Sequence, residues 1–125
     1  MKPGYFDLSV TNMEVAVDFF KNVLNWKFRK MDMPYEYYTI EAGEENEYGI
    51  NGGMGAVGEA ELAKGPLTVL TVPVTDLDSM LEKVQSSGGK IVEQKTEIPG
   101  IGYYATCAEP GGLMFGMIQP FGEQQ

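Results

Sequence analysis

No histidine occurs among the 125 residues, and Cys107 is the single cysteine. Ser-His-Asp and Cys-His nucleophilic mechanisms are thereby excluded, as are His-ligated metal sites, an intrachain disulfide and a cysteine-rich zinc site. Chemistry is left to carboxylates, tyrosine, lysine, Cys107 or a bound cofactor. The first candidate is Asp7. Along Tyr5 to Val10 the apolar Phe6, Leu8 and Val10 alternate with Tyr5, Asp7 and Ser9, and period two puts the two sets on opposite faces of a strand. A carboxylate on an aromatic face can act as a base or hold a cation. The plainer alternative is a solvated or hydrogen-bonded strand aspartate.

The aromatic residues Tyr5, Trp26, Tyr37, Tyr38, Tyr103 and Tyr104 come next. Aromatic walls with few polar groups suit small molecules, cationic ones included. The alternative is packing in the core or at a dimer interface. Only one member of Tyr37-Tyr38, and one of Tyr103-Tyr104, can share a given sheet face. Met54, Met114 and Met117 supply adaptable apolar surface or core. Glu41, Glu44, Glu45 and Glu47 lack the order of an EF-hand and read as a solvated hairpin loop. The glycines from Gly49 to Gly58 lack the Lys-Ser/Thr ending of a phosphate loop and read as hairpin geometry. Cys107 has no basic neighbour and reads as a small buried side chain.

The elements that position these residues repeat. Val10-Thr11-Asn12-Met13-Glu14 resembles Val74-Thr75-Asp76-Leu77-Asp78, 64 residues later. Met13, Ala16, Val17 and Phe20 have the spacing of an amphipathic helix, and Leu77, Met80, Leu81 and Val84 repeat it at the same offset. Asn12 and Asp76 are suited to cap the two helices. A strand precedes each, over Tyr5 to Val10 and Val69 to Val74, which puts Asp7 and Thr71 at equivalent positions. Strand signals follow at Trp26–Met31, Tyr35–Glu41 and Tyr48–Met54, with a hairpin-type Asn51-Gly52, and at Lys90–Val92, Tyr103–Ala108 and Leu113–Gln119. Tyr37-Tyr38 aligns with Tyr103-Tyr104 at an offset of 66. Each half therefore reads strand-helix-strand-strand-strand, an α+β chain. The expected organisation is one domain, 1–125: a first module at 1–54, a linker at 55–65 with a helical turn around Glu59 to Lys64, and a second module at 66–125.

Eighteen acidic residues against nine basic give a net charge of −9. Lys27, Arg29 and Lys30 form the sole basic cluster, too little for phosphate neutralisation along a nucleic acid. An acidic surface draws cations or keeps a protein in solution. No apolar run reaches the length of a membrane span, and Met1 to Tyr5 shows no signal-peptide apolar stretch. A cytoplasmic protein without membrane or nucleic-acid partners is the expectation.

The run from Val10 through Phe19-Phe20-Lys21-Asn22-Val23-Leu24-Asn25-Trp26-Lys27-Phe28, the paired Val74 to Asp78, Gly88-Gly89-Lys90-Ile91-Val92, and Glu109-Pro110-Gly111-Gly112-Leu113-Met114-Phe115-Gly116-Met117 resemble the vicinal oxygen chelate superfamily of glyoxalases, extradiol dioxygenases and bleomycin-resistance proteins. The resemblance covers nearly the whole chain. It implies two paired βαβββ modules forming a cupped mixed sheet around a cleft, in a homodimer. Enzymes of that family hold a metal with ligands from the first and last strands of each module, usually His on the first strand and Glu on the last. The matching positions are Asp7 and Thr71, then Gly116 and a place near Asn51 to Gly53. One hard-metal ligand in four does not make a divalent site, so neither metal nor cofactor is expected. The expected cleft lining is Tyr5, Asp7, Trp26, Tyr38, Thr71, Tyr103, Gly116 and Met117. Three functions remain open: binding of a small organic molecule, cationic ones included; a lyase, isomerase or dioxygenase-type enzyme with Asp7 as base and Glu41 or a tyrosine as acid; or a regulatory, partner-binding domain with a closed cleft.

Overall fold

The structure, a computed structural model, describes residues 5–32, 34–58 and 70–122. The chain divides into two compact units, Met1–Gly65 and Pro66–Gln125. In unit one the order is β1 (Phe6–Val10), α1 (Met13–Leu24), β2 (Lys27–Lys30), β3 (Tyr37–Glu41) and β4 (Gly52–Ala56). Unit two repeats it: β5 (Leu70–Pro73), α2 (Leu77–Ser86), β6 (Lys90–Ile98), β7 (Gly102–Ala108) and β8 (Met114–Pro120). The strands lie in the order β1-β4-β3-β2 and β5-β8-β7-β6. The first strand of each unit runs parallel to the last, and the other neighbours are antiparallel. These are the two βαβββ modules that the repeat implies.

Each helix starts where an Asx side chain satisfies an orphan backbone donor. Val15 N donates to Asn12 Oδ1 at 3.1 Å, and Ser79 N donates to Asp76 Oδ1 at 3.2 Å. Helix α1 ends on Asn25, whose φ of 58° lies in the left-handed region. After α2, Gly88 has φ 90° and Gly89 N donates to Val84 O at 2.8 Å, a helix stop of the glycine type.

The buried stripe of α1 is Met13, Ala16, Phe19, Phe20 and Val23. Val17 of the expected stripe is only half-buried. The stripe packs on the face carrying Val10, Ile40 and Met54, all at most 1% exposed. In unit two Leu77, Leu81 and Val84 lie over Ala105, Cys107, Phe115 and Met117. Each large apolar side chain among these contributes about 1.5–3 kcal/mol by leaving water, enough to fix which sheet face is core and which is open.

Two strands, β4 and β6, depart from the sequence expectation by more than two residues. Strand β4 begins at Gly52, not Tyr48, and runs to Ala56, two residues past the expected module end. Asn51-Gly52 is not a two-residue hairpin turn. Asn51 Oδ1 accepts from Ala42 N at 2.8 Å and thereby closes a longer loop. Strand β6 extends to Ile98 rather than Val92, its pairing with β7 continuing through register shifts near Glu93. The helical turn expected around Glu59 to Lys64 lies outside the described residues.

Candidate functional site

Helix packing leaves one face of each sheet open, and the strand registers say which residues stand on it. In unit one Asp7 is level with Gly53, and Gly53 with Thr39; Tyr37 is level with Gly55. Asp7, Tyr37, Thr39, Gly53 and Gly55 therefore share the open face. In unit two Thr71 and Thr106 are level with Gly116, and Tyr104 with Ile118. Thr71, Tyr104, Thr106 and Gly116 share the corresponding face.

Of the eight residues expected to line a cleft, four stand on the open face of their own unit and four do not. Tyr5, Asp7, Thr71 and Gly116 are placed there or bonded to residues there. Tyr38 is level with Met54, on the helix side, with its ring edge-on to Phe28 at 6.4 Å. Trp26 is 5% exposed and stacks on Phe20 at 5.0 Å, in the core. Tyr103 is level with Gln119, whose side chain accepts from Leu77 N at the start of α2, and its ring meets Phe121 at 5.3 Å. Met117 is fully buried beneath α2. For Tyr38, Tyr103 and Met117 the physical reason is parity: each is the immediate neighbour of an open-face residue on its own strand, and alternation sends it to the opposite side. Trp26 precedes β2 and packs between Phe6 and Phe20.

The sequence leaves the choice between Tyr37 and Tyr38 open, with Tyr38 in the expected lining; the residue beside Asp7 is Tyr37. The Tyr37 hydroxyl donates to Asp7 Oδ1 at 3.1 Å and lies 2.6 Å from the Tyr5 hydroxyl. A hydroxyl has one proton. Tyr37 gives its own to Asp7, so Tyr5 donates to Tyr37, and the chain of bonds runs Tyr5 to Tyr37 to Asp7. The Tyr37 phenol is held above the ordinary tyrosine range, first by desolvation and then by its bonds to Tyr5 and Asp7. It is a neutral donor here, not a phenolate base.

Beside this chain is a concavity of ≈ 380 Å³ lined by Asp7, Ser9, Tyr35, Glu36, Tyr37 and Gly55, among others. Among the described residues no lysine or arginine lines it. In unit two the buried Thr106 hydroxyl donates to Glu93 Oε1 at 2.9 Å, on the same face as Tyr104. The turn that delivers β8 is tied by Glu109, whose Oε1 accepts from Leu113 N at 3.1 Å.

A divalent metal does not fit this donor set. Among the described residues no three of Asp, Glu, Cys and His converge. The two last-strand positions are glycine, and tyrosine hydroxyls occupy the space in front of them. Asp7 is left as one carboxylate, already bonded to a phenol.

A sequence model described as the Glyoxalase/Bleomycin resistance protein/Dioxygenase superfamily matches residues 2–117. A 51-residue stretch is 29% identical to CFP32 of Mycobacterium bovis, and that match spans 41% of this chain and 20% of the relative, about a fifth of its length. Among solved structures, the antibiotic binding protein TnmS3 from Streptomyces sp. CB03234 superposes with a TM-score of 0.68 at 18% identity over 96% of both chains. The fosfomycin resistance protein FosX from Mesorhizobium loti gives 0.69 at 12% identity, over 95% of this chain and 91% of that one. A glyoxylase/bleomycin resistance protein/dioxygenase domain from Frankia sp. EAN1pec gives 0.74 at 12% identity, over 96% and 98%. At these identities the likeness is one of fold.

Proposed function

The chain belongs to the glyoxalase/bleomycin resistance protein/dioxygenase superfamily, and from that footing we propose that it binds a small organic molecule on the open face of unit one, without a metal. The observation that carries the reading is the Tyr5–Tyr37–Asp7 chain of hydrogen bonds beside a concavity of ≈ 380 Å³, a volume within the range of small-molecule sites. Binding alone requires affinity and orientation, and the residues present supply both: aromatic rings for contact area, and an ordered set of acceptors.

The ligand class follows from the order of the protons. Tyr37 has none to give beyond Asp7, and Asp7 and Glu36 are carboxylates. With two carboxylates and no basic side chain among the described lining residues, the concavity favours a cationic molecule, a protonated amine above all, and disfavours anions. Antibiotics are a natural part of the search, since two of the fold neighbours are named for antibiotic binding or resistance. A homodimer is part of the same proposal, and sedimentation velocity reads it directly.

The test is a thermal-shift screen of the purified protein against divalent metals, metabolites and antibiotics, repeated on Asp7→Ala. A ligand at 100 times its Kd stabilises by about 2.7 kcal/mol. A hit that the wild type shows and Asp7→Ala loses, with the variant's own Tm near that of the wild type, supports the reading. A hit of equal strength in both proteins moves the site elsewhere, and a hit from Mn, Fe, Ni or Zn removes the metal-free claim.

A further inference from the structure

Gly53 and Gly116 occupy the same place in the two units. Each is followed by a fully buried methionine, Met54 or Met117, that packs under a helix. Each lies level with a residue of the first strand, Asp7 or Thr71, and with a threonine, Thr39 or Thr106. In front of each stands a tyrosine hydroxyl from two residues before that threonine on the neighbouring strand. A Cβ built on Gly53 would meet the hydroxyls of Tyr37 and Tyr5; one built on Gly116 would meet the hydroxyl of Tyr104, then its Cζ at 2.7 Å and Cε1 at 2.9 Å. Neither glycine has a positive φ, so backbone conformation does not demand glycine at either place. Space does. Gly55, on the same strand and face, is the contrast: its Cβ would lie 3.4 Å from Tyr37 Cδ1, an ordinary contact.

We propose that Gly53 and Gly116 are positioning residues of a duplicated tyrosine seat: each leaves its strand bare so that a tyrosine hydroxyl lies over it, and each seat closes that strand position to a ligand-bearing side chain such as a carboxylate. In unit one the seat holds Tyr37 within reach of both Tyr5 and Asp7. The absence of a metal ligand at these positions is then not a bare loss. A seated hydroxyl and a glutamate at the same spot are alternative occupants of one volume, because a side chain cannot pass through the phenol. That the seated hydroxyls contact a ligand rests on the reading above; the seat itself does not, and its test is independent of any ligand.

The test reads where the ring sits. Tyrosines labelled with 13C at Cζ are followed by NMR, with Tyr37 assigned through Tyr37→Phe and Tyr104 through Tyr104→Phe. The far end of a tyrosine swings away at low cost, so Gly53→Ala should keep the fold and displace the ring. The expected result is a shifted Tyr37 Cζ signal that titrates with the exposed tyrosines, whereas Gly55→Ala leaves Tyr37 the last to titrate. Gly116→Ala should shift the Tyr104 signal in the same way, which keeps the test open if Gly53→Ala does not fold. The exclusion half is read by Tm: the loss caused by Gly116→Glu should shrink when Tyr104→Leu is added. Unmoved Tyr37 and Tyr104 signals in the alanine variants overturn the seat, and additive Tm losses for the Gly116→Glu, Tyr104→Leu pair overturn the exclusion. Neither result depends on whether Asp7→Ala changes a ligand response.

Discussion

Tyr37 shows how much chemistry one register position decides. It donates to Asp7 and accepts from Tyr5, and desolvation with those bonds keeps its phenol protonated well past the ordinary range. Cys107 is fully buried in the core of unit two, and burial pushes its thiol up to about 11. Both shifts have the same sign for stability. In the folded state each group keeps its proton to higher pH than in the unfolded chain, so the unfolded state loses protons first as pH rises. Stability should hold through neutral pH, begin to fall above about 9 as the unfolded thiol ionises, and continue to fall through about 11, where the native thiol follows. Urea unfolding at pH 7, 9 and 10.5 measures this; Cys107→Ala should flatten the first part of the decline. Native Cys107 should also react slowly with a thiol reagent at pH 8 and quickly once urea unfolds the chain, and fast native reaction would contradict its burial.

At the scale of elements, two helices lean on side-chain caps that the repeat makes equivalent. Asn12→Ala and Asp76→Ala each leave a helix-start amide without its acceptor, at a cost of about 1 kcal/mol apiece. Asn12→Asp should retain most of the stability, because aspartate accepts the same bond. The caps lie at the ends of the strands that position Asp7 and Thr71, so chemical denaturation of the wild type and these three variants also reports how firmly the open faces are held. Strand β4 carries a second dependency: Met54 is fully buried beside Ile40 and Val10, and Met54→Ala should cost about 2–5 kcal/mol by leaving a cavity. A loss well short of that range would mean that β4 does not face the core in this register.

Across the whole molecule, like charges outnumber their counterparts. A net charge of −9 repels itself in the folded state, and salt screens that repulsion within about 10 Å at 0.1 M. Tm should therefore rise as NaCl is raised from low to moderate concentration, opposite to the trend expected if surface ion pairs held the units together. Among the described residues one salt bridge is present, Lys95 to Asp78 at 3.2 Å, largely exposed, and such a pair contributes little. Dialysis against EDTA should leave Tm unchanged, since the donor set on the open faces does not suit a divalent ion. A drop of several degrees would point to a structural cation. No helix among the described residues is long and apolar enough to cross a membrane.

The repeat and everything local to it are legible in the residues alone. The caps at Asn12 and Asp76, the helix stripes and the βαβββ order follow from residue type and short-range spacing, which need no knowledge of what lies across the sheet. The candidate site was half legible. Asp7 and Thr71 follow from alternation within one strand, and Gly116 from the resemblance of the last strand to the family's. Tyr37 and Tyr104 required the pairing between strands, because aligning the Tyr-Tyr pairs at an offset of 66 matches residues of opposite parity, whereas Tyr37-x-Thr39 and Tyr104-x-Thr106 match at 67. That shared pattern, with Gly53-Met54 and Gly116-Met117, was present in the chain as a signal. Its meaning came from the fold, since side-chain alternation says that two residues differ in face but not which face receives the helix, and only cross-strand register brings a hydroxyl over a glycine.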